Sequence, residues 1–243
     1  MFASLPNTLR KQVAELLPGT CLLCNLPAGR AQDLCRYCEA SLPLNRLCCS
    51  VCAEPFAKLT VTPPLCGHCQ ASPPAFTVTV APWLYLSPVS HLLNRFKQHG
   101  NLACASVLLE KLEHGIGQQY SANQLPDALL PVPLHWKKRW QRGFNQSLWL
   151  ARKLSRQLAI PALNNGVMRN RPTVSQQRLK RKQRQQNLRG CFSVRKPVDG
   201  MHLAIVDDVM TTGSTANELA ATLIKSGATR VDVWCLARTP VEK

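Results

Sequence analysis

The stretch that most restricts the folds open to this chain runs from Leu203 to Thr215, LAIVDDVMTTGST. Its first residues, Leu203, Ala204, Ile205 and Val206, make a short apolar run, which is how a strand buried on both faces of a parallel sheet reads. Asp207 and Asp208 sit where that strand should end. Thr211, Thr212, Gly213, Ser214 and Thr215 follow, five small residues whose backbone N–H groups can wrap closely around an anion. A helical pattern comes next, with Leu219, Ala220, Leu223 and Ile224 on one face and Gly227 as its stop. An anion held in the loop then lies at a helix N-terminus, where unpaired N–H groups and the helix dipole favour negative charge.

Adjacent carboxylates at the carboxyl end of a strand can accept hydrogen bonds from two neighbouring sugar hydroxyls. A Gly/Ser/Thr loop one turn further on has the size of the sugar's phosphate, so acids and loop together describe a ribose 5-phosphate cradle. The plainer reading is a strand end followed by an ordinary turn. The coincidence of strand, acids, loop and helix weighs against it, because only a lone glycine-rich loop is weak evidence. The run resembles, at every position, the phosphoribosyl pyrophosphate (PRPP) motif of type I phosphoribosyltransferases.

The N-terminal part obeys a different constraint. Four C-x-x-C pairs follow one another: Cys21/Cys24, Cys35/Cys38, Cys49/Cys52 and Cys66/Cys69. Two thiolates at this spacing fill two corners of a zinc tetrahedron and a second pair closes it, so eight ligands make two structural zinc sites. Pro27, Pro43, Pro55, Pro63 and Pro64 and the lack of long apolar runs leave this segment little to fold around except metal. Disulfides and a thioredoxin-like redox pair are the competing readings. The first needs an oxidising compartment, and the second needs one C-x-x-C. Short separations favour first-with-second and third-with-fourth pairing over a crossed arrangement. Cys48 is the odd cysteine beside Cys49, where the spacing to Cys52 decides for Cys49, and His68 reads as a loop histidine.

Residues 1–18 read as a short amphipathic helix, and Ser72-Pro73-Pro74 as a linker, giving an N-terminal helix and ribbon over 1–72 and a second domain over 73–243. Phe76 to Leu86 alternates like extended structure. Helices are expected around Leu92, Leu93 and Phe96, with Lys97 at the end, and over Leu102 to Leu112. A buried strand spans Ala128 to Val132. His135 to Ser147 then places several cations, Arg142 among them, on the loop after that strand, and Gly143 lets the backbone approach a ligand closely. Trp136, Trp140 and Phe144 lie between those cations. They suit either base stacking or anchoring of the next helix, and for Phe144 anchoring is the stronger reading. Arg169 to Gly190 is polar and basic and reads as a loop between two short strands that can close over a ligand. A last strand runs from Arg230 to Leu236. Strands and helices alternate from about residue 127, which predicts an α/β fold with its ligand at the carboxyl ends of parallel strands.

The chain carries 30 Lys and Arg against 13 Asp and Glu, and between His135 and Gly200 there are 17 basic residues and the single acid Asp199. Such a field attracts polyanions, whether single-stranded DNA or a pyrophosphate-bearing small molecule. No stretch approaches the roughly 20 apolar residues that span a bilayer, and a soluble cytoplasmic protein with reduced cysteines is expected.

With these pieces in place the chain resembles, nearly end to end, the ComF/GntX family. The marks are the four cysteine pairs, the Lys97 region, Val132-Pro133 leading to Arg142-Gly143-Phe144-Asn145-Gln146, then Thr173, Gln176, Leu179, Arg184, Asn187, Gly190, Phe192 and the PRPP motif. The resemblance implies a type I phosphoribosyltransferase-like parallel sheet flanked by helices, with a small N-terminal Cys-rich double zinc ribbon. It further implies Mg-bound PRPP as ligand. Asp207, Asp208 and Arg142 would be catalytic, and Thr211 to Thr215, Lys97 and Gly143 would share in binding. It also implies a part in DNA uptake, competence or use of DNA as a nutrient, with proteins of the uptake machinery as partners. One position departs from the transferases that act on 6-oxopurines: they carry a proton-accepting Asp where Thr211 stands here, so salvage of hypoxanthine or guanine is not expected.

Overall fold

The computed structural model describes residues 19–58, 64–134, 143–170 and 190–240. The expected helix over 1–18, Trp136, Trp140, Arg142 and most of the basic loop after Arg169 lie outside them. In the cysteine-rich part the described residues hold two one-turn helices, α1 (Arg36–Ala40) and α2 (Gly67–Ala71), each starting directly after a cysteine whose sulfur caps it. The α/β part follows as β1 (Thr79–Val80), β2 (Trp83–Leu84), α3 (Val89–His99), α4 (Leu102–Gln119), β3 (Ala128–Pro131), α5 (Gln146–Leu158), β4 (Val167–Arg169), β5 (Phe192–Val194), β6 (His202–Met210), α6 (Ser214–Lys225) and β7 (Arg230–Arg238).

The main sheet has the order β1-β7-β6-β3, with β2 beside β1 on the same edge of β7, and every pairing in it is parallel. β4 and β5 make a separate antiparallel pair. The centre is β6 against β7, in register from His202↔Arg230 to Met210↔Arg238. Eight of the nine residues of β7 are buried. Alternate side chains enter two cores. Ala204, Val206, Trp234 and Leu236 meet Leu92, Phe96, Leu108 and Leu112 of α3 and α4. Leu203, Ile205, Val233 and Cys235 meet Leu219, Ala220 and Leu223 of α6.

Several expected boundaries move. β6 does not end at the acids: it continues to Met210, because β7 runs on to Arg238 and supplies partners beyond Asp207. α4 reaches Gln119, since Leu112 and Ile116 continue its buried stripe. Ile224 is 40% exposed, leaving Leu219, Ala220 and Leu223 as the buried face of α6.

Both edges of the sheet are short and covered. Beyond β2, the ribbon backbone pairs through Leu44↔Trp83, with Leu84 N–H on the Pro43 carbonyl and Asn45 N–H on the Pro82 carbonyl, at 2.9 and 2.8 Å. Beyond β3, Ala162 bridges Leu129.

At the amino end of β6 and β7 the Asp232 carboxylate, fully buried, accepts from the Tyr120 hydroxyl at 2.9 Å and from Arg230 Nη2 at 3.0 Å, and lies 2.7 Å from His202 Nε2. Tyr120 in turn accepts from the Trp234 indole at 3.1 Å. Truncating one member of such a network strands the others. Asp232→Ala should cost about 3–5 kcal/mol, and Tyr120→Phe about 1–3 kcal/mol because the indole N–H loses its acceptor. Urea unfolding midpoints of both variants against wild type test this.

Candidate functional site

Two sets of side chains carry chemistry. The first is the cysteines. The sulfurs of Cys21, Cys24, Cys35 and Cys38 all lie within 4.8 Å of one another, as do those of Cys49, Cys52, Cys66 and Cys69. The pairing is therefore sequential, and neither Cys48 nor His68 belongs to either quartet. A zinc–sulfur bond of about 2.3 Å gives tetrahedron edges of about 3.8 Å. The Cys24–Cys35 and Cys52–Cys66 separations are 3.9 and 3.6 Å.

Backbone N–H groups support charged sulfur in both quartets: Cys38 N–H lies 3.5 Å from Cys35 Sγ, Cys66 N–H 3.4 Å from Cys49 Sγ and Cys69 N–H 3.5 Å from Cys66 Sγ. At Cys21 burial pushes the thiol up, but N–H groups of Cys24, Cys35 and Leu23 outweigh it and bring it down to about 6. Cys38 is pushed up to about 12 by burial and then by the three sulfurs around it. Cys52 is likewise pushed up to about 12 by burial and by the charges on Cys49 and Cys66. Four sulfurs so close resist joint ionisation unless a cation shares them, so the donor set fits a divalent soft metal.

Each quartet is set into one of the two cores: Cys21 joins the α3/α4 side, and Cys49, Cys52 and Cys69 the α6 side. An arginine of the α/β part grips each knuckle by a backbone carbonyl. Arg95 Nη1 donates to Leu22 O at 2.8 Å, and Arg238 Nε to Cys52 O at 2.9 Å.

The second set lies at the carboxyl end of the sheet. Asp207 accepts from the Ser147 hydroxyl at 2.8 Å and from the Asp208 N–H at 2.9 Å. Asp208 is paired with Lys97, Nζ to Oδ2 at 3.3 Å. Lys97 comes from the last turn of α3, where its ammonium also lies 5.5 Å from the Tyr85 ring centroid. Burial first, and the Asp208 carboxylate second, push Asp207 up to about 7, against the Ser147 hydroxyl, the Asp208 N–H and Lys97.

The Gly143-Phe144-Asn145-Gln146 block builds the wall beside these acids. Gly143 has φ 74°, in the left-handed region. The Phe144 ring lies 5.6 Å from Phe96, so it anchors rather than stacks on a ligand. Asn145 caps α5, accepting from Leu148 N–H at 3.3 Å, and donates to Val132 O at 3.2 Å. Gln146, 1% exposed, reaches the Lys97 carbonyl at 3.4 Å. Ser147, which meets Asp207, was passed over by sequence reasoning, and Gln146 figured there only as a family mark with no role assigned. The available signal was Asn145 before an apolar-periodic run, which marks a helix start and so fixes which residues face the sheet.

The small-residue loop joins β6 to α6. Gly213, at φ 76°, precedes the helix, and that left-handed conformation favours glycine; a Cβ there would lie 2.8 Å from the Met210 methyl, the movable end of a flexible side chain. The Thr212 hydroxyl lies 2.9 Å from that of Ser214 and accepts from the Ser214 N–H at 3.4 Å. The structure thus brings together Asp207, Asp208 and Lys97, and sets Thr211, Thr212 and Gly213 on the turn that follows Met210, with Ser214 and Thr215 opening α6. Arg142 lies outside the described residues. Between the loop and the second quartet is a cavity of ≈ 190 Å³, lined by Cys52, Cys66 and Cys69 on one side and Thr212, Gly213 and Ser214 on the other. No helix among the described residues is long and apolar enough to cross a membrane.

Comparison with known proteins gives three kinds of match. A family model described as the double zinc ribbon domain matches residues 13–70. The chain is 38% identical over 227 residues to the DNA utilization protein YhgH of Shigella flexneri, covering 92% of this chain and 98% of that one. It is 39% identical over 178 residues to competence protein F of Haemophilus influenzae, covering 71% and 78%. Competence protein ComFC of Bacillus subtilis is 27% identical over 162 residues, covering 65% and 62%. Among solved structures, a purine phosphoribosyltransferase from Pyrococcus horikoshii aligns with a TM-score of 0.34 at 18% identity, over 55% of this chain and 72% of that one.

Two outcomes are expected. Elemental analysis should find two zinc ions per chain in wild type, Cys48→Ser and His68→Ala, and one in Cys49→Ser. For Asp207, an unfolded aspartate ionises near about pH 4, whereas the folded one holds its proton up to about 7. Its contribution to stability is therefore full below about pH 4 and lost as pH rises through about 7. Urea unfolding from pH 4 to 8 should show a flatter profile for Asp207→Asn than for wild type.

Proposed function

The chain belongs to the family of the DNA utilization protein YhgH and competence protein F, and on that footing we propose that its cleft binds Mg-bound PRPP or a related ribose 5-phosphate ligand in the service of DNA use. The observation that carries the reading is a pair of neighbouring carboxylates held by Lys97 and Ser147 at the carboxyl end of a parallel sheet, followed by a glycine loop that opens a helix. Ligands of parallel α/β sheets lie at that end, and phosphates favour helix N-termini.

In this reading Asp207 and Asp208 accept the ribose hydroxyls, and the loop from Thr211 to Thr215 takes the 5-phosphate. Lys97 and Arg142 meet the pyrophosphate, and Gly143 admits it close to the backbone. Lys97 exchanges its Asp208 partner for the more highly charged pyrophosphate as the ligand enters. Turnover, in this reading, breaks the C1–O bond to pyrophosphate through a cation-like transition state stabilised by charges already in position. Thr211 offers no proton acceptor for a 6-oxopurine, so the acceptor is of another class. Magnesium, travelling with PRPP, neutralises the phosphates.

A second reading rests on charge. The excess of 30 basic over 13 acidic residues suits a grip on single-stranded DNA, with the cleft retained for a small ligand. Calorimetry with Mg-PRPP should give binding in wild type and none in the Asp207→Asn, Asp208→Asn double variant, with the zinc content of both unchanged. Equal heats remove the sugar-phosphate assignment. Pyrophosphate release across a panel of nucleobases and nucleic acids reads turnover. For single-stranded oligonucleotide the affinity should fall steeply with salt as counterions are released, and a flat dependence rejects the second reading.

A further inference from the structure

Arg238, the last residue of β7, is 2% exposed, and its guanidinium is shared between two parts of the protein. On one side Nε donates to the Cys52 carbonyl at 2.9 Å and Nη2 pairs with the Glu54 carboxylate. Both acceptors lie in the turn that carries the second cysteine quartet, where Ala53 has a left-handed φ of 53° and its carbonyl accepts from Asn45 Nδ2 at 2.9 Å. On the other side Nη1 donates to the Met210 carbonyl at 3.3 Å and to the Thr211 carbonyl, the two residues that open the small-residue loop. Arg238 is neither a metal ligand nor part of the acid pair.

The quartet and the loop do not close on each other directly, because the ≈ 190 Å³ cavity lies between them. Among the described residues, Arg238 makes a polar connection across that gap with one planar fork. A lysine could not reproduce it, having a single charged centre in place of donors at both ends of a rigid plane. The quartet's turn needs its sulfurs gathered to keep its shape, so the position of the Cys52 carbonyl and Glu54 depends on the metal held there.

We propose that Arg238 is a positioning residue that couples the metal-bound form of the second cysteine quartet to the backbone of the Thr211–Thr215 loop, so that phosphate affinity at the loop depends on metal at that quartet. The proposal rests on the reading of the loop as the 5-phosphate site. By linkage the coupling is reciprocal: a phosphorylated ligand on the loop holds the second metal more tightly, and leaves the first quartet, gripped separately by Arg95, unaffected.

The probe is ribose 5-phosphate. In wild type its binding, measured by calorimetry, should raise the affinity for one zinc ion of the two, read by equilibrium competition with a chromogenic chelator. Arg238→Lys and Glu54→Gln should each bind it at least about fivefold more weakly, with the ligand's protection of zinc reduced by the same factor. Arg95→Lys should change neither quantity. If wild type binds no ribose 5-phosphate, the loop reading itself fails and the proposal with it. If it binds while the equilibrium partition of zinc to the chelator stays the same with and without ligand, the proposal alone is overturned. That wild-type comparison decides the matter even if the variants do not fold.

Discussion

The parallel pairing of β6 with β7 is the interaction from which the rest of the molecule takes its geometry. A ladder running from His202↔Arg230 to Met210↔Arg238, apolar on both faces, can persist only where both faces are covered. The helices on either side, and the cysteine-rich segment with them, meet that requirement. Polar groups are confined to the two ends. At the amino end Asp232 gathers Tyr120, His202 and Arg230 into one network. At the carboxyl end lie Asp207 and Asp208, with Lys97 paired to Asp208, on the strand that leads into a glycine loop. The two ends of one strand pair therefore differ: one ties the sheet together, and the other carries the candidate site.

The cysteine quartets take the place of a hydrophobic core that the N-terminal segment is too poor in apolar residues to build. Their placement goes beyond that local need. Each quartet contributes sulfur to a different core of the sheet, and each knuckle is tied by a carbonyl to an arginine of the α/β part. A ribbon merely appended by a linker would bury its own ligands. Here the ribbon and the sheet bury each other.

The sequence was most legible where chemistry dictates spacing. Four C-x-x-C pairs named the eight cysteines, and their short separations favoured, without deciding, the sequential grouping that the quartets display. The apolar run from Leu203 and the glycine at Gly213 named a strand, a loop and a helix in the right order. What spacing could not convey was partnership across the chain. Nothing local to Ser147 says that it meets Asp207, because the contact depends on how α5 lies against β6. Nor does the end of β7 announce Arg238, whose acceptors, the neighbouring Thr239 carbonyl apart, come from residues 52, 54, 210 and 211. The end of β6 was placed too early for the same reason. Two acids read as a boundary by composition, but the neighbouring strand supplies ladder partners as far as Met210.

The covered edge beyond β2 has a consequence of its own. Pro43, Leu44 and Asn45 shield the outer side of that strand with ribbon backbone, and those residues sit between the two quartets in the chain. Stripping the metal frees this shield together with the knuckles. It uncovers a row of amide and carbonyl groups that a second polypeptide can pair with. For this architecture a loss of zinc would thus bare a strand edge as well as loosen the cysteine turns.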